Sequence, residues 1–342
     1  MLLSIQYLRG IAALMVVIFH LLPQMERKGY TFYWPDWLFG GVDVFFVISG
    51  FIMWITTANR TATPMKFYKR RIIRIVPLYW ILTSFIVVVM LVKPTLLQST
   101  RYDFWHIISS YFFIPSLAPG SEEQIHPVLH PGWTLNYEMF FYLLFGLLLY
   151  LPERFRIVGM TIIMSVLVAY GSLASTLSIS KNPIIVFYTH NIMIEFMIGM
   201  LVGHFYLKNN ILSSAKWGWS LLIAGFFLLG LLPEALPTLP RVVILGLPAT
   251  LIVIGALKLE ATPQLPKWPW LLLLGNASYS IYLSHTMTLS AIGQIWRRAI
   301  EQPSFFSYML FGIVGISASI MIGVFTYYII ERPVTQRLHS RT

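Results

Sequence analysis

The chain has 342 residues, of which 57% are hydrophobic and 11% are charged, with no cysteine and a formal net charge of +11 at pH 7. A mean hydropathy of +0.72 excludes an ordinary soluble protein, because most of this chain needs lipid as its solvent. The lack of cysteine excludes disulfides, thiolate metal ligands and an acyl-cysteine intermediate. The composition predicts an all-α polytopic membrane protein.

Ten apolar stretches are long enough to cross the hydrocarbon if the helices tilt. The predicted spans are 5–22, 40–58, 75–92, 132–151, 157–177, 184–206, 217–232, 240–257, 271–291 and 307–330. The segment 104–114 is too short to cross and is expected to lie in the interface or to re-enter. Short linkers and the lack of a large hydrophilic block predict a single membrane domain over 1–342, with no appended soluble domain.

The distribution of basic residues predicts the orientation in the membrane. Of the 24 Lys and Arg residues, 15 fall on the cytoplasmic side if both termini are cytoplasmic, 8 fall on the opposite side, and Arg9 lies within a span. This bias favours cytoplasmic termini, and it attributes the net charge to topology rather than to nucleic-acid binding. No basic region precedes the first span and no small residues follow it, so we expect it to be retained rather than cleaved as a signal peptide.

The first span carries two ionisable residues, Arg9 and His20. Eleven helical residues turn through three turns and roughly 20°, so the two side chains share one face and stand roughly 16 Å apart along the axis. Ionisable residues inside a membrane are costly and are usually kept for function. The alternative is that Arg9 snorkels to the nearby interface while His20 caps the far end of the helix.

Four predicted helices bring an ionisable residue to the outer half of the membrane, namely His20, Asp43, Glu138 and His285. A pocket shared by these residues is a hypothesis, since helix neighbours cannot be read from sequence. Asp43 and Glu138 are alternatively buried acids that pair with arginines, and His285 is alternatively a core histidine. Glu195 precedes Gly199 and Gly203, where a structural role at a close helix contact is expected.

A basic cluster precedes the third span and contains Lys66, Lys69, Arg70, Arg71 and Arg74. A positive-inside signal would account for most of these residues. It does not account for Arg74, which lies one turn inside an apolar stretch and on the same face as Arg70 and Arg71. A row of guanidinium groups at a membrane surface suits a polyanionic ligand such as a nucleotide phosphate.

Five motifs, taken together and in this order, resemble the membrane acyltransferase 3 family over Leu2–Pro333. They are RGIAALMVVIFH, GVDVFFVISGF, FYKRRIIRIVP, WTLNYEMFFY, and SYSIYLSH before a terminal ERP. Within this family the chain is most similar to bacterial exopolysaccharide O-acetyltransferases. The resemblance implies a multi-pass protein of the bacterial inner membrane that moves an acyl group, commonly acetyl, from cytoplasmic acyl-CoA to a hydroxyl of an extracytoplasmic or lipid-linked glycan. It also implies that His20 is the catalytic base and that Arg9, Arg71 and Arg74 are the family's arginines.

The residue types suit this chemistry, because histidine supplies a general base with a pKa near neutrality. Glu138, in preference to Asp43, is predicted to orient the imidazole. The predicted donor site for acetyl-CoA comprises Arg9, Lys69, Arg70, Arg71 and Arg74. The predicted acceptor site comprises His130, Trp133, Asn136, Tyr142 and His285. The expected partners are acyl-CoA, a polysaccharide or lipid-linked oligosaccharide and membrane lipids, with self-association left open. No metal is expected, since prolines interrupt the metal-like spacing of His126 and His130.

The main alternative is a transporter or flippase of a glycan or lipid precursor, because buried charges also mark transport pathways. The sequence shows no inverted repeat and no matching pair of broken helices in its favour. A binding or sensory membrane module without catalysis is a third interpretation.

Overall fold

The computed structural model describes residues 2–58, 63–97, 101–177, 179–209, 211, 213–260, 262–263 and 265–340. Over these ranges the chain is helical, and its β pairing is an isolated antiparallel bridge between Leu117 and Ile125. The predicted all-α class is therefore confirmed for the described residues. Arg60 and Arg341, two of the basic residues assigned to the cytoplasmic side, lie outside them.

The α-helices are numbered here in chain order. They are α1 Leu3–Phe19, α2 Leu22–Glu26, α3 Gly41–Thr57, α4 Pro64–Val92, α5 Phe104–Tyr111, α6 Trp133–Leu148, α7 Glu153–Thr176, α8 Pro183–Tyr188, α9 Met193–Leu207, α10 Ala215–Ala235, α11 Leu247–Leu259, α12 Pro269–Ala299, α13 Phe305–Thr326 and α14 Arg332–Ser340. Short 3₁₀ turns lie at Asp36–Gly40, Pro94–Leu96 and His130–Gly132, and π turns lie at Val242–Gly246 and Tyr327–Glu331.

In the described part of the chain, eight helical segments are long and apolar enough to cross a membrane. They are Leu3–Glu26, Asp36–Thr57, Pro64–Val92, Glu153–Thr176, Pro183–Leu207, Ala215–Ala235, Val242–Leu259 and Phe305–Leu338. The chain is therefore a multi-pass membrane protein. The predicted spans 132–151 and 271–291 correspond to α6 and α12, which are not among the eight. α6 has only 16 residues, and polar side chains such as Ser280 and His285 interrupt the apolar run of α12.

Some element boundaries differ from the sequence prediction. α4 begins at Pro64, so the basic cluster is helical rather than part of a connection, and Thr63 caps this helix by accepting a hydrogen bond from the Lys66 N–H. The predicted span 184–206 is divided into α8 and α9. α12 extends beyond the predicted end at residue 291 and ends at Ala299. The segment 104–114 contains α5, whose 8 residues are too few to cross a membrane.

The chain divides into two compact units, Met1–Ile55 with Ile198–Ile329 and Thr56–Met197 with Ile330–Thr342. In the first unit, α1 and α12 approach closely through two glycines. A Cβ on Gly275 would strike the carbonyl oxygen of Gln6, and a Cβ on Gly10 would lie 3.0 Å from the Gly275 nitrogen. The two helices therefore run side by side with their backbones almost in contact.

The start of α1 is fixed by residues of the connection between α11 and α12. The two carboxylate oxygens of Glu260 accept hydrogen bonds from the backbone N–H groups of Leu3 and Ser4, at 2.8 and 2.7 Å. These N–H groups have no acceptor within the helix, and the helix dipole favours a negative charge at this end. The Tyr7 hydroxyl donates to the Pro266 carbonyl at 2.9 Å. These bonds set the position of α1 and hence of the ionisable residues that it carries.

The close helix contact predicted at Gly199 and Gly203 is present. A Cβ on Gly199 would strike the carbonyl oxygen of Val47, and a Cβ on Gly203 would lie 3.1 Å from the Trp54 Cβ. These two glycines lie in the part of α9 that belongs to the first unit, and they let it pack directly on α3.

In the second unit, tyrosines from α4 hold α5 and α6. The Tyr68 hydroxyl donates to the Leu143 carbonyl at 2.8 Å, and the Tyr79 hydroxyl donates to the Ser110 carbonyl at 2.9 Å. A Cβ on Gly132 would lie 2.6 Å from the Tyr79 ring. The glycine thus lets the ring pack against the turn that begins α6.

Candidate active site

His20 ends α1, and one hydrogen bond determines its tautomer. Its Nδ1 lies 2.8 Å from the Val16 carbonyl oxygen. Because a carbonyl can only accept, we assign the hydrogen to Nδ1, which leaves the lone pair of the neutral ring on Nε2. The ring is partly buried. His20 is therefore arranged so that Nε2 can take up a proton.

His285 on α12 lies beside His20. The two ring centroids are 4.8 Å apart, with an interplanar angle of 70°. His285 is fully buried, and its Nδ1 lies 2.6 Å from the Tyr282 carbonyl oxygen, which assigns the same tautomer. The sequence predicted only a similar depth for these residues, and the structure brings them into contact.

Asp43 on α3 forms a bidentate ion pair with Arg241. Arg241 Nε donates to Oδ1 at 3.0 Å and Nη2 donates to Oδ2 at 2.6 Å, while the Asp43 side chain is fully buried. A buried carboxylate needs such a partner. This geometry corresponds to the pairing alternative raised for Asp43. Sequence reasoning missed Arg241, because a separation of 198 residues hides the partner that the buried acid requires.

Two phenylalanines connect the histidine pair to this ion pair. The Phe19 ring lies 5.2 Å from the ring of His20 and 5.2 Å from that of Phe39. The Arg241 guanidinium lies 4.5 Å from the centre of the Phe39 ring, in a cation–π contact. We call Phe19 and Phe39 the aromatic bridge. Through this bridge, packing around Asp43 and Arg241 constrains the position of His20.

Arg9 lies within a short polar chain at the other end of α1. Its Nη1 donates to Gln6 Oε1 at 2.9 Å, and Gln6 Nε2 lies 3.5 Å from Asn276 Oδ1. Gln6 is buried. Sequence reasoning missed both amides, although polar side chains inside apolar spans are themselves a signal. The amides orient the guanidinium of Arg9.

In the second unit, Arg71 points towards α6. Its guanidinium carbon lies 5.4 Å from the Phe67 ring centroid and 5.3 Å from that of Tyr142. The buried Tyr142 hydroxyl donates to Glu138 Oε2 at 3.0 Å. The structure thus brings three predicted site residues into one group, which we call the Arg71–Tyr142–Glu138 network.

The other basic residues predicted for the donor on α4 are exposed. They are Lys69, Arg70 and Arg74. Of these, Arg74 is close enough to Arg71 to interact with it electrostatically. The sequence placed Arg70, Arg71 and Arg74 on one helix face, whereas in the structure Arg71 is partly buried and the other two are exposed.

The remaining predicted acceptor residues lie at the start of α6. His130 is exposed in the turn before the helix, and Trp133 is partly exposed. Asn136 is buried, and its Oδ1 has no hydrogen-bond partner among the described residues. A buried acceptor without a partner is costly, and a bound water or hydroxyl group would satisfy it.

Histidines of α5 and of the segment between α5 and α6 form a second cluster. The rings of His126 and His130 are 4.7 Å apart, and those of His106 and His126 are 6.4 Å apart. Burial lowers the pKa of His106, and the neighbouring His126 lowers it further, while Asp103 opposes the shift. Burial also lowers the pKa of His126. Across the residues that the structure describes, no three His, Asp or Glu side chains are arranged to hold a metal ion.

The family model described as an acyltransferase domain, that of the acyltransferase 3 family, matches residues 2–328. The exopolysaccharide production protein ExoZ of Rhizobium meliloti (strain 1021) is 37% identical over 309 residues, which cover 88% of this chain and 90% of the relative. No solved structure matches the chain.

Two further relatives are more distant. The O-acetyltransferase OatA of Staphylococcus aureus (strain NCTC 8325 / PS 47) is 24% identical over 96% of this chain, which covers 56% of OatA. A putative acetyltransferase, ORF330 of Acidianus two-tailed virus, is 26% identical over 85% of this chain and 84% of its own length. The family match decides for an enzyme over a transporter or sensory module. The chain belongs to the membrane acyltransferase 3 family and is an acyltransferase.

Proposed function

We propose that this acyltransferase moves an acetyl group from cytoplasmic acetyl-CoA to a hydroxyl of an exopolysaccharide or its lipid-linked precursor. The proposal is supported most by two contacts of His20: its Nδ1 lies 2.8 Å from the Val16 carbonyl oxygen, which leaves Nε2 as the basic nitrogen of the neutral ring, and its ring lies beside that of His285. The relatives support the substrate class, since one is an exopolysaccharide production protein and another an O-acetyltransferase.

His20 acts in this proposal as the general base. Its Nε2 takes the proton of the acceptor hydroxyl as the hydroxyl oxygen bonds to the carbonyl carbon of the thioester. The C–S bond then breaks, and the sulfur of coenzyme A leaves with the proton returned by His20. Asp43 supports His20 through Arg241 and the aromatic bridge, and Glu138 acts within the Arg71–Tyr142–Glu138 network.

The arginines serve the donor. Arg71 and Arg74, with Lys69 and Arg70, bind the phosphates of coenzyme A, because guanidinium groups offer paired donors to phosphate oxygens. Arg9 is the donor-side residue of the first unit. The acceptor is assigned to His130, Trp133, Asn136, Tyr142 and His285.

The proposed setting is the cytoplasmic membrane of a bacterium. We propose that α6 and α12 also span the membrane, which brings the number of spans from eight to ten. An even number of spans puts both termini on one side, the cytoplasmic side by the positive-inside rule. The whole of 1–342 is proposed as one membrane domain.

The test uses the purified full chain, radiolabelled acetyl-CoA and an exopolysaccharide-derived oligosaccharide. We expect label on the oligosaccharide and release of coenzyme A in equal amount. Labelled acetyl phosphate is the control donor and should give no transfer. If only acetyl phosphate gave transfer, the assignment of acetyl-CoA as the donor would be wrong. If neither donor gave transfer, the assignment of acetyl as the transferred group would be wrong.

A further inference from the structure

Two arginines converge on one glutamine at the ends of α2 and α12, in the first unit. Gln24 is 8% exposed, and its Oε1 accepts hydrogen bonds from Arg297 Nη1 at 2.6 Å and from Arg27 Nη1 at 3.2 Å. We call Gln24, Arg27 and Arg297 the Gln24 cluster. Two positive charges thus share a single neutral acceptor.

Neither arginine of the cluster has a carboxylate partner. Among the described residues, no Asp or Glu oxygen lies within 4.0 Å of Arg27 or Arg297. Both guanidinium groups donate to the same oxygen, so their positive charges lie close together. Neighbouring like charges repel, and a bound anion would relieve that repulsion.

The backbone of α12 is shaped to let Gln24 approach. A Cβ on Gly293 would lie 2.6 Å from Gln24 Oε1 and 3.1 Å from Arg297 Nη1. Glycine is a poor helix former, so its place inside a long helix is explained by the space that it leaves. That space holds the amide oxygen and the guanidinium group together.

Aromatic residues lie close to the cluster in sequence, since Trp296 precedes Arg297 and Tyr30 follows Arg27 by three residues. Trp296 stacks on Phe311 at 4.7 Å and contacts Tyr308 at 5.5 Å, and Tyr30 contacts Trp34 at 5.9 Å. The indole N–H groups of Trp34 and Trp296 have no acceptor in the part of the chain that the structure describes. Aromatic faces pack well against the C–H faces of sugar rings, and tryptophan adds a polar donor.

We propose that the Gln24 cluster binds an oxyanion of the acceptor, either a sugar carboxylate or a phosphate of a lipid-linked glycan. The inference rests on the proposed acyl transfer, in which α1 and α12 present His20 and His285. Gly293 lies roughly 12 Å beyond His285 along the axis of α12, a distance that an oligosaccharide can bridge. An acidic group held at the cluster would place a hydroxyl of a more distant sugar of the same oligosaccharide at the histidine pair.

The test measures binding without acetyl-CoA, so that it does not depend on catalysis. The full chain in phosphatidylcholine nanodiscs is titrated with a uronic-acid oligosaccharide, with the same oligosaccharide after reduction of its carboxylates to alcohols, and with inorganic pyrophosphate. The reduced oligosaccharide should bind about tenfold more weakly. Arg27→Gln and Arg297→Gln should each weaken binding of the acidic oligosaccharide about tenfold, because a charge-assisted hydrogen bond is lost.

Matched control variants distinguish a specific binding site from a general attraction between the ligand and the positive charge of the protein. Arg298→Gln removes an exposed charge next to the cluster and should leave binding unchanged. Arg297→Lys retains the charge without the planar fork and should have an intermediate effect, which also guards against misfolding of the glutamine variants. Wild-type binding should weaken as salt is raised.

The ligands distinguish the sources of the oxyanion. Preference for the uronic-acid oligosaccharide supports a sugar carboxylate, and equal or stronger binding of pyrophosphate supports a lipid-linked phosphate. Unchanged binding in Arg27→Gln and Arg297→Gln would overturn the proposed site. So would a loss of affinity in Arg298→Gln as large as in those two variants. Loss of binding in phosphatidylglycerol nanodiscs would assign the cluster to a lipid headgroup and contradict the acceptor assignment. If the acidic oligosaccharide bound but the protein transferred no acetyl group, the proposed function would be refuted and the binding site would stand.

Discussion

His20 shows how a single hydrogen bond can decide the chemistry available to a residue. The Val16 carbonyl accepts a hydrogen bond from Nδ1–H, so Nε2 is the nitrogen without a hydrogen in the neutral ring. His285 has the same arrangement with the Tyr282 carbonyl. Each carbonyl lies three or four residues before its histidine, so the helix itself sets both tautomers.

The first prediction concerns His20→Ala, which should lower the rate of acetyl transfer by roughly 10²–10⁴-fold because the general base is lost. His20→Gln should be equally inactive, since an amide cannot take up a proton. Initial rates on folded, purified protein provide the measurement. His190→Ala is the matched control, because this histidine is exposed. Retention of more than about a tenth of the activity in His20→Ala would rule out the role.

The second prediction concerns Arg71→Ala, which should weaken acetyl-CoA binding by about ten- to a hundredfold through loss of a charge-assisted hydrogen bond. Arg71→Lys should recover only part of the affinity, because lysine lacks the planar group that packs on Phe67 and Tyr142. Isothermal titration calorimetry measures both. Arg154→Ala removes an exposed arginine and should have no effect. Equal affinity in wild type and Arg71→Ala would return Arg71 to a purely structural role.

Some contacts of the candidate site residues could be predicted from the sequence, and others could not. The spacing of Arg9 and His20 predicted a shared helix face, and residue depth predicted that His20 and His285 lie at one level. The Asp43–Arg241 pair could not be predicted, because its partners are 198 residues apart. The contact of Arg71 with Tyr142 could not be predicted either. Helix periodicity gives the direction of a side chain around the helix axis, but it does not show which helix lies on that side.

At the scale of elements, the pair α1 and α12 positions the histidines. Their close approach at Gly10 and Gly275 is possible only without side chains there. The sequence gives no sign of this pairing beyond the glycines themselves. It also placed the basic cluster in a connection, because charge marks the membrane surface and does not show where the helix begins.

The third prediction tests this packing. Gly275→Ala should destabilise the protein by about 1–3 kcal/mol, because its Cβ would meet the Gln6 carbonyl carbon at 2.7 Å and force the helices apart. Gly230→Ala is the matched control in α10, since its Cβ would meet only Trp37 at 3.9 Å, and it should be neutral or stabilising by up to about 1 kcal/mol. The melting temperature of each variant decides. Equal melting temperatures for the two variants would contradict the close contact.

The fourth prediction concerns pH and the loop that carries His106 and His126. Their folded-state pKa values are lowered, so the folded state binds fewer protons than the unfolded state at mildly acidic pH. Their contribution to stability is complete above the unfolded value of about 6.5 and is lost as pH falls below it. Hydrogen exchange of residues 103–130 should therefore accelerate between neutral pH and mildly acidic pH, after correction for the intrinsic rate. His106→Gln should reduce that acceleration. An identical pH dependence of hydrogen exchange in wild type and His106→Gln would contradict the prediction.

At the scale of the whole molecule, the predicted roles are divided between two compact units. The first unit contains the histidine pair and the second contains the Arg71–Tyr142–Glu138 network. Composition alone was sufficient to predict the multi-pass helical class, because hydropathy over long segments is the strongest signal in such chains. The division into units could not be predicted, since it depends on contacts between segments that are distant in sequence.

In the proposed function, the acetyl group passes directly from cytoplasmic acetyl-CoA to a glycan on the other side of the membrane, and His20 acts as the general base. The most direct measurement uses sealed proteoliposomes of known orientation, with labelled acetyl-CoA at the cytoplasmic face and a membrane-impermeant oligosaccharide at the other. We predict label on the oligosaccharide, release of coenzyme A on the donor side, and neither with His20→Ala. Transfer that requires both substrates on the same side, or that persists in His20→Ala, would contradict the account.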